Sequence, residues 1–255
     1  LKMFPPERTQ RLLADILLKH TPNRPVSCAD LLAVTAAEDD ETAPQLRPAA
    51  EAMLEVLPLD NKKKNGSPRS VAKEVPNPNM VIDLLDALER IEPKLALDAL
   101  ERFQAAPAYS IEEVMRPAAL CLYAAEDMHG LKSIEALRLA VLDYLRQRVA
   151  EPLEPPNDWQ RANPFTDSED EHCQALGRFL ADPHEHTWSV QAAKKVRQHL
   201  EEQIALHDCE LECETDTSRQ PHTLVCRKNN QRFQRLAETR KQDWVDLATL
   251  EGVAD

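Results

Sequence analysis

Glycine is scarce in this sequence. Four occur in 255 residues, where average usage would supply roughly eighteen. Phosphate-cradling loops and the tight turns of a β-sandwich need glycine for positive φ and close backbone approach, so a nucleotide-binding α/β fold and a sandwich are both disfavoured. Aromatics are few as well, with five Phe, three Tyr and three Trp. No apolar run approaches the roughly 18 residues that a membrane helix needs, so no membrane partner is expected. The first residues lack the apolar core of a signal peptide, and a start at Leu1 rather than Met reads as a piece of a longer protein.

The usual catalytic signatures are missing too: there is no GxSxG, Walker loop, GxGxxG or HExxH. The six cysteines (Cys28, Cys121, Cys173, Cys209, Cys213 and Cys226) include no CxxC pair and are too thinly spread for a disulfide scaffold. Free, mostly buried thiols in a reducing compartment are expected, hence a cytoplasmic or nuclear location. No cofactor is expected.

What the sequence does have is proline, nineteen in all, set between Leu/Ala-rich stretches. That is the pattern of helices with punctuated ends. Leu12, Leu13, Ile16 and Leu17 make one stripe, opened by Pro5-Pro6-Glu7 and closed at His20-Thr21-Pro22. Ser27 with Asp30 and Thr42 with Gln45 resemble capping boxes ahead of two more helices. Beyond residues 60–79, which have no apolar period, further stripes run through Val81–Ile91, Leu95–Phe103, Val114–Leu122 and Ile134–Leu145. A break is expected at Glu92-Pro93 and a bend at Pro117. Lys62-Lys63-Lys64 with Arg69 and Lys73 reads as a solvated loop, with a nuclear-import signal as the other reading.

After Glu151-Pro-Leu-Glu-Pro-Pro156 and the acidic Asp167–Glu171 the pattern changes. A short helix carries Cys173, Leu176, Phe179 and Leu180, and a longer one is expected to carry Val190, Ala193, Val196, Leu200 and Ile204. Cys209–Thr215 then alternates apolar and acidic residues, and His222–Lys228 follows after a turn, which together predict a β-hairpin. A last amphipathic helix holds Phe233, Leu236, Trp244, Leu247 and Leu250. The expected fold is therefore mostly α: a solenoid-like stack of helical hairpins, then a small α+β module with one hairpin. The expected divisions are N-terminal helices at 1–59, a flexible linker at 60–79, a helical-repeat-like region at 80–150, a proline-rich acidic connection at 151–171, and an α-α-β-β-α module at 172–255.

Candidate chemistry is sparse. His199-Leu-Glu201 matches part of an iron-binding motif, but helix positions two apart diverge by about 200° and cannot share a metal. His184, His186, His172 and Cys173, or Cys209, Cys213 and Cys226 on one face of the hairpin, have the donor types for zinc without the usual spacing. Packing cysteines and surface histidines are the plainer reading, so no catalytic or metal residue is assigned. The candidate binding residues are Arg227, Lys228, Arg232 and Arg235, a basic strip on a chain of net charge −13. Residues 187–241 hold ten Lys/Arg against eight Asp/Glu, so the strip lies where the acidic excess is locally reversed. Such a face suits an acidic or phosphate-bearing partner. The competing reading pairs it with Glu210, Glu212 and Glu214 on the neighbouring strand.

Several phrases carry a resemblance: Glu151-Pro-Leu-Glu-Pro-Pro156 with Trp159, Phe179-Leu-Ala-Asp-Pro183, Trp188, His199, and Pro221-His-Thr-Leu-Val-Cys-Arg-Lys-Asn229 with Phe233 and Arg235. In order and wording they resemble the C-terminal region of large fungal and plant proteins that carry a 2-oxoglutarate/Fe(II) oxygenase-like domain upstream. The likeness covers roughly residues 150–250. Such relatives cluster cysteines before the helix at Cys173, where Asp167-Ser-Glu-Asp-Glu171 stands here. None of that family's iron ligands maps onto this chain, so the resemblance implies an accessory helical region. The expected function is a non-catalytic protein-interaction or scaffolding region, with another protein or domain as partner. The alternatives are a trimmed or cryptic oxygenase, and nucleic-acid or phosphoprotein binding through the basic helix.

Overall fold

Proline sets where most helices of the first part begin. In the computed structural model, which describes residues 6–38, 41–60, 74–125, 128 and 130–252, the chain divides into two compact units. One is Leu1–Ala150 with Asp243–Asp255, and the other is Glu151–Gln242.

The first unit contains α1 (Pro6–His20), α2 (Pro25–Ala37), α3 (Arg47–Glu55), α4 (Pro78–Ile91), α5 (Pro93–Ala105), α6 (Arg116–Ala124) and α7 (Lys132–Ala150). Proline occupies the first or second position of α2, α3, α4, α5 and α6, where its missing N–H costs nothing because that group has no helical partner. Helices two apart in sequence meet, α1 on α3, α2 on α4 and α5 on α7, as layers of hairpins do. Met80, Leu84, Leu85 and Leu88 of α4 are buried in one core with Leu32, Met53, Phe103 and Leu142.

Local details differ from the sequence reading. Ser27 does not cap α2, which starts earlier at Pro25; its hydroxyl donates instead to Glu74 at 2.5 Å. Thr42 precedes a 3₁₀ turn, Ala43–Leu46, and makes no side-chain cap. Pro117 has no N–H to offer the preceding turn, and residues Ile111–Met115 form a π-helical turn capped by Ser110. In the expected linker at 60–79, residues 61–73, and with them the basic cluster, lie outside the described residues. Its end is anchored: Glu74 bonds Ser27, and the Asn77 side chain accepts from Met80 N–H at the start of α4.

The second unit holds α8 (Glu171–Ala181), β1 (Thr187–Gln191), α9 (Lys194–Leu206), β2 (Leu211–Asp216), β3 (Thr223–Lys228) and the first turns of α10 (Gln231–Glu251). The hairpin is β2–β3, but β1 pairs antiparallel with β3, so the sheet has three strands in the order β1-β3-β2. Val190 and Ala193 therefore belong to a strand and a cap, not to a helix. The half-buried Trp188 and Val190 alternate with exposed Thr187, Ser189 and Gln191. That short alternation also fits the apolar spacing of the helix that follows, and pairing with β3 decides it.

Residues 151–171, expected to be a connection, lie within the second unit and are partly packed there. Trp159 N–H and Arg161 N–H donate to the carbonyls of Pro183 and Leu180, and Phe165 is buried. Gly177 allows this docking, since a Cβ there would stand 2.3 Å from the Asn163 side-chain oxygen. The end of α10, placed by the sequence in the last module, belongs to the first unit, whose core takes Leu247 and Leu250. No helix among the described residues is long and apolar enough to cross a membrane.

Candidate functional site

Strand parity decides the fate of the basic strip. On β3, Leu224, Cys226 and Lys228 point one way and are buried, whereas Arg227 is exposed. Lys228 is only 2% exposed. Its Nζ donates to the Asp182 carbonyl at 2.6 Å and stands 4.6 Å from the centre of the Phe179 ring. Burial pulls its ammonium below the ordinary lysine value. Lys228 is thus an internal strut, and the reading of it as a partner-binding residue is corrected.

The other three basic residues are on the surface. Arg227 stands 3.5 Å from Glu214, and Arg235 3.9 Å from Asp208, both as exposed pairs of little energetic weight. Arg232 makes no hydrogen bond or ion pair among the described residues. Of the acidic residues anticipated as partners, Glu214 meets Arg227 and Glu210 lies 3.7 Å from Arg161; no ion pair joins either helix arginine to them. Along residues 231–242 of α10 no side chain is buried; Phe233 and Ala237 are half-buried, while Arg232, Arg235 and Leu236 are exposed. Those three fall within about 100° of helix circumference.

A second group gathers at the start of α8. Asp170 caps the helix, its Oδ1 accepting from His172 N–H at 2.8 Å and Cys173 N–H at 2.9 Å. These bonds, that of Cys173 foremost, hold its carboxyl below the usual range. Buried Cys173 places Sγ 3.6 Å from Nε2 of His199 on α9, and ligand atoms of all three residues lie within 4.8 Å of one another. Tetrahedral zinc ligands, S at about 2.3 Å and N at about 2.0 Å from the metal, stand about 3.6 Å apart. The trio therefore has donor types and spacing for a divalent transition-metal ion. Burial, and then the Asp170 charge, push the Cys173 thiol up, so it is not a prepared nucleophile.

Sequence reasoning paired His199 with Glu201 and Cys173 with three other histidines. The structure joins Cys173 to His199 across two helices, while Glu201 lines a separate cleft. His186 packs instead on Trp159, with ring centres 4.2 Å apart. Only the Asp170–Cys173 spacing, a cap and its third residue, was visible locally.

That cleft, of about 220 Å³, is lined by Glu201, Asp208, Glu210, Arg235, Cys209 and Cys213, among others. Three carboxylates line it against one guanidinium, and Arg161 stands 3.7 Å from Glu210, which leaves the cleft acidic by one charge. Cys213 lies directly opposite Cys226 across β2 and β3. Comparison with protein-family models, with curated proteins and with solved structures finds no match to this chain.

Proposed function

We propose that this chain is a non-catalytic protein-interaction region, accessory to a larger protein in the cytoplasm or nucleus, with residues 231–242 of α10 as its docking element. The observation that carries this reading is that stretch of helix, more than three turns with no buried side chain. Helices in proteins owe most of their stability to packing of an apolar face. Here Arg232, Arg235 and Leu236 form a strip that a partner would cover: an apolar centre beside two guanidinium groups, matched to an acidic or phosphorylated protein segment. A nucleic acid would use the same arginines, but the net charge of −13 opposes a long polyanion.

Fluorescence anisotropy tests it, with an acidic phosphoserine peptide containing leucine and, separately, a single-stranded oligonucleotide. The expected result is peptide binding at about 50 mM salt that weakens at about 200 mM. Binding should be lost in Arg232→Ala/Arg235→Ala with the melting temperature nearly unchanged. A wild-type chain that ignores the peptide at low salt, or binds it equally without both arginines, overturns the reading. Preference for the oligonucleotide moves the function to nucleic acid.

A further inference from the structure

Strands β2 and β3 bring two thiols together in a way that neither strand's sequence announces. Backbone bonds identify the pair type. Asn229 N–H donates to Glu210 across β2 and β3, and the register pairs Leu211 with Lys228, Glu212 with Arg227 and Cys213 with Cys226. Counting from residues 210 and 229, hydrogen-bonded pairs alternate with non-bonded ones, and Cys213–Cys226 falls on a non-bonded position. Lys228 N–H, which donates to His186 on the other side of β3, agrees with this alternation. Facing residues are closest at non-bonded positions, with Cα atoms about 4.5 Å apart, a separation that a disulfide spans. The two Sγ atoms are 3.0 Å apart.

We propose that Cys213 and Cys226 are a redox-active dithiol that closes to an intramolecular disulfide by exchange with a low-molecular-weight disulfide, preferentially a cationic one.

The two thiols are not equivalent. Cys226 sits on the central strand with no exposed surface, whereas Cys213 sits on edge strand β2 and lines the acidic cleft. A disulfide entering from solvent meets Cys213 first. The two sulfurs are in hydrogen-bond contact, and that contact lowers the Cys213 thiol and raises that of Cys226. Cys213 is thus the attacking thiolate and Cys226 the resolving thiol. In the first step the Cys213 sulfur bonds to one sulfur of the reagent, whose S–S bond breaks and releases one thiolate. That thiolate takes up the Cys213 proton. In the second step Cys226, giving its proton to the other departing thiolate, attacks the Cys213 sulfur and expels the second half of the reagent. Two protein thiols are oxidised, one external disulfide is reduced to two thiols, and no further oxidant is needed.

The cleft also sets selectivity. Arg161 and Arg235 stand 3.7 and 3.9 Å from Glu210 and Asp208, which leaves Glu201 as the excess negative charge, so the cleft favours a cation over an anion. Cys209, also in the cleft, is a third thiol; burial pushes it up to about 11, so it stays protonated at neutral pH.

The test uses the full chain with exposed Cys121 changed to Ser, which leaves five of the six thiols. It is treated with cystamine, a dication, or with 3,3′-dithiodipropionate, a dianion. Cystamine should lower the intact mass by about 2 Da, leave three free thiols and yield a linked peptide pair containing Cys213 and Cys226. Its rate should exceed that of the dianion about tenfold at low salt, the gap closing as salt rises. Cys226→Ser should stop at a stable mixed disulfide on Cys213, and Cys209→Ser should react as the parent does. A parent that accumulates mixed disulfide without closing, joins Cys209 instead, or keeps five thiols overturns the proposal. A dianion that reacts as fast as cystamine overturns its cationic preference.

Discussion

The Arg116 guanidinium meets the carboxylate of Asp243, 127 positions further along the chain, at 2.7 Å, and Asp243 has no exposed surface. Asp246 accepts from the same guanidinium at 2.6 Å, and Arg148 approaches Asp243 at 3.1 Å. A buried charge is tolerable only with its partner in place. Arg116→Ala should therefore destabilise the first unit by about 3–5 kcal/mol, read by urea unfolding. Ending the chain after Gln242, which removes both aspartates with Leu247 and Leu250, should be at least as damaging. An Arg116→Ala protein as stable as the parent would show that the pair carries no structural weight.

Lys228 and the helix arginines should separate cleanly. Lys228→Ala leaves the Asp182 carbonyl without its donor and a void beside Phe179. A loss of about 2–3 kcal/mol is expected. Arg232→Ala and Arg235→Ala, at exposed sites, should each stay within about 0.5 kcal/mol. Thermal melts compare them, and equal effects would contradict the burial of Lys228.

Gly177→Ala tests the docking of residues 159–165. The new Cβ would collide with the Asn163 side chain, whose oxygen already accepts from Phe165 N–H at 2.9 Å. Overpacking of this kind costs about 1–3 kcal/mol. Adding Asn163→Ala should recover part of that loss in a double-mutant cycle, since it removes the atoms being struck. Strict additivity would mean that the two residues do not touch.

Asp170 supplies a pH dependence with a definite sign. Its carboxyl is held below its ordinary value of 3.8 by the Cys173 and His172 amides. A depressed carboxylate stabilises the fold fully above the unfolded value and ceases to do so as pH falls through the folded one. The parent should accordingly exceed Asp170→Ala by about 1 kcal/mol above about pH 5, the usual worth of such a cap. The gap should shrink as pH drops below about 4. Unfolding curves of both proteins from neutral to acid pH measure it, and a gap that widens in acid would reverse the assignment.

Local chemistry made much of the architecture legible in the sequence. The break at Glu92-Pro93 acts on its own backbone, so the start of α5 was readable without knowing what it packs against, whereas at α2 the apparent cap at Ser27 hid the true start at Pro25. The alternation through β2 is likewise a property of six adjacent residues. Lys228 shares parity with Leu224 and Cys226, so its burial was implicit in the strand, although a lysine among basic neighbours reads as surface. Asp170 and Cys173 were close by helix geometry alone.

Tertiary structure decided the rest, because the deciding contacts join distant segments. Thr187–Gln191 is a strand by virtue of hydrogen bonds to β3, more than thirty residues later. His199 meets Cys173 because α9 packs on α8, and nothing in either helix specifies that approach. Asp243 and Asp246 look like ordinary solvated charges until Arg116 is brought to them. Cys213 and Cys226 become a pair only through register, since a shift of one residue would turn one thiol to the opposite face. Composition and periodicity therefore determined most of the helices and the β2–β3 hairpin, whereas long-range pairing and burial determined β1 and which side chains can act together.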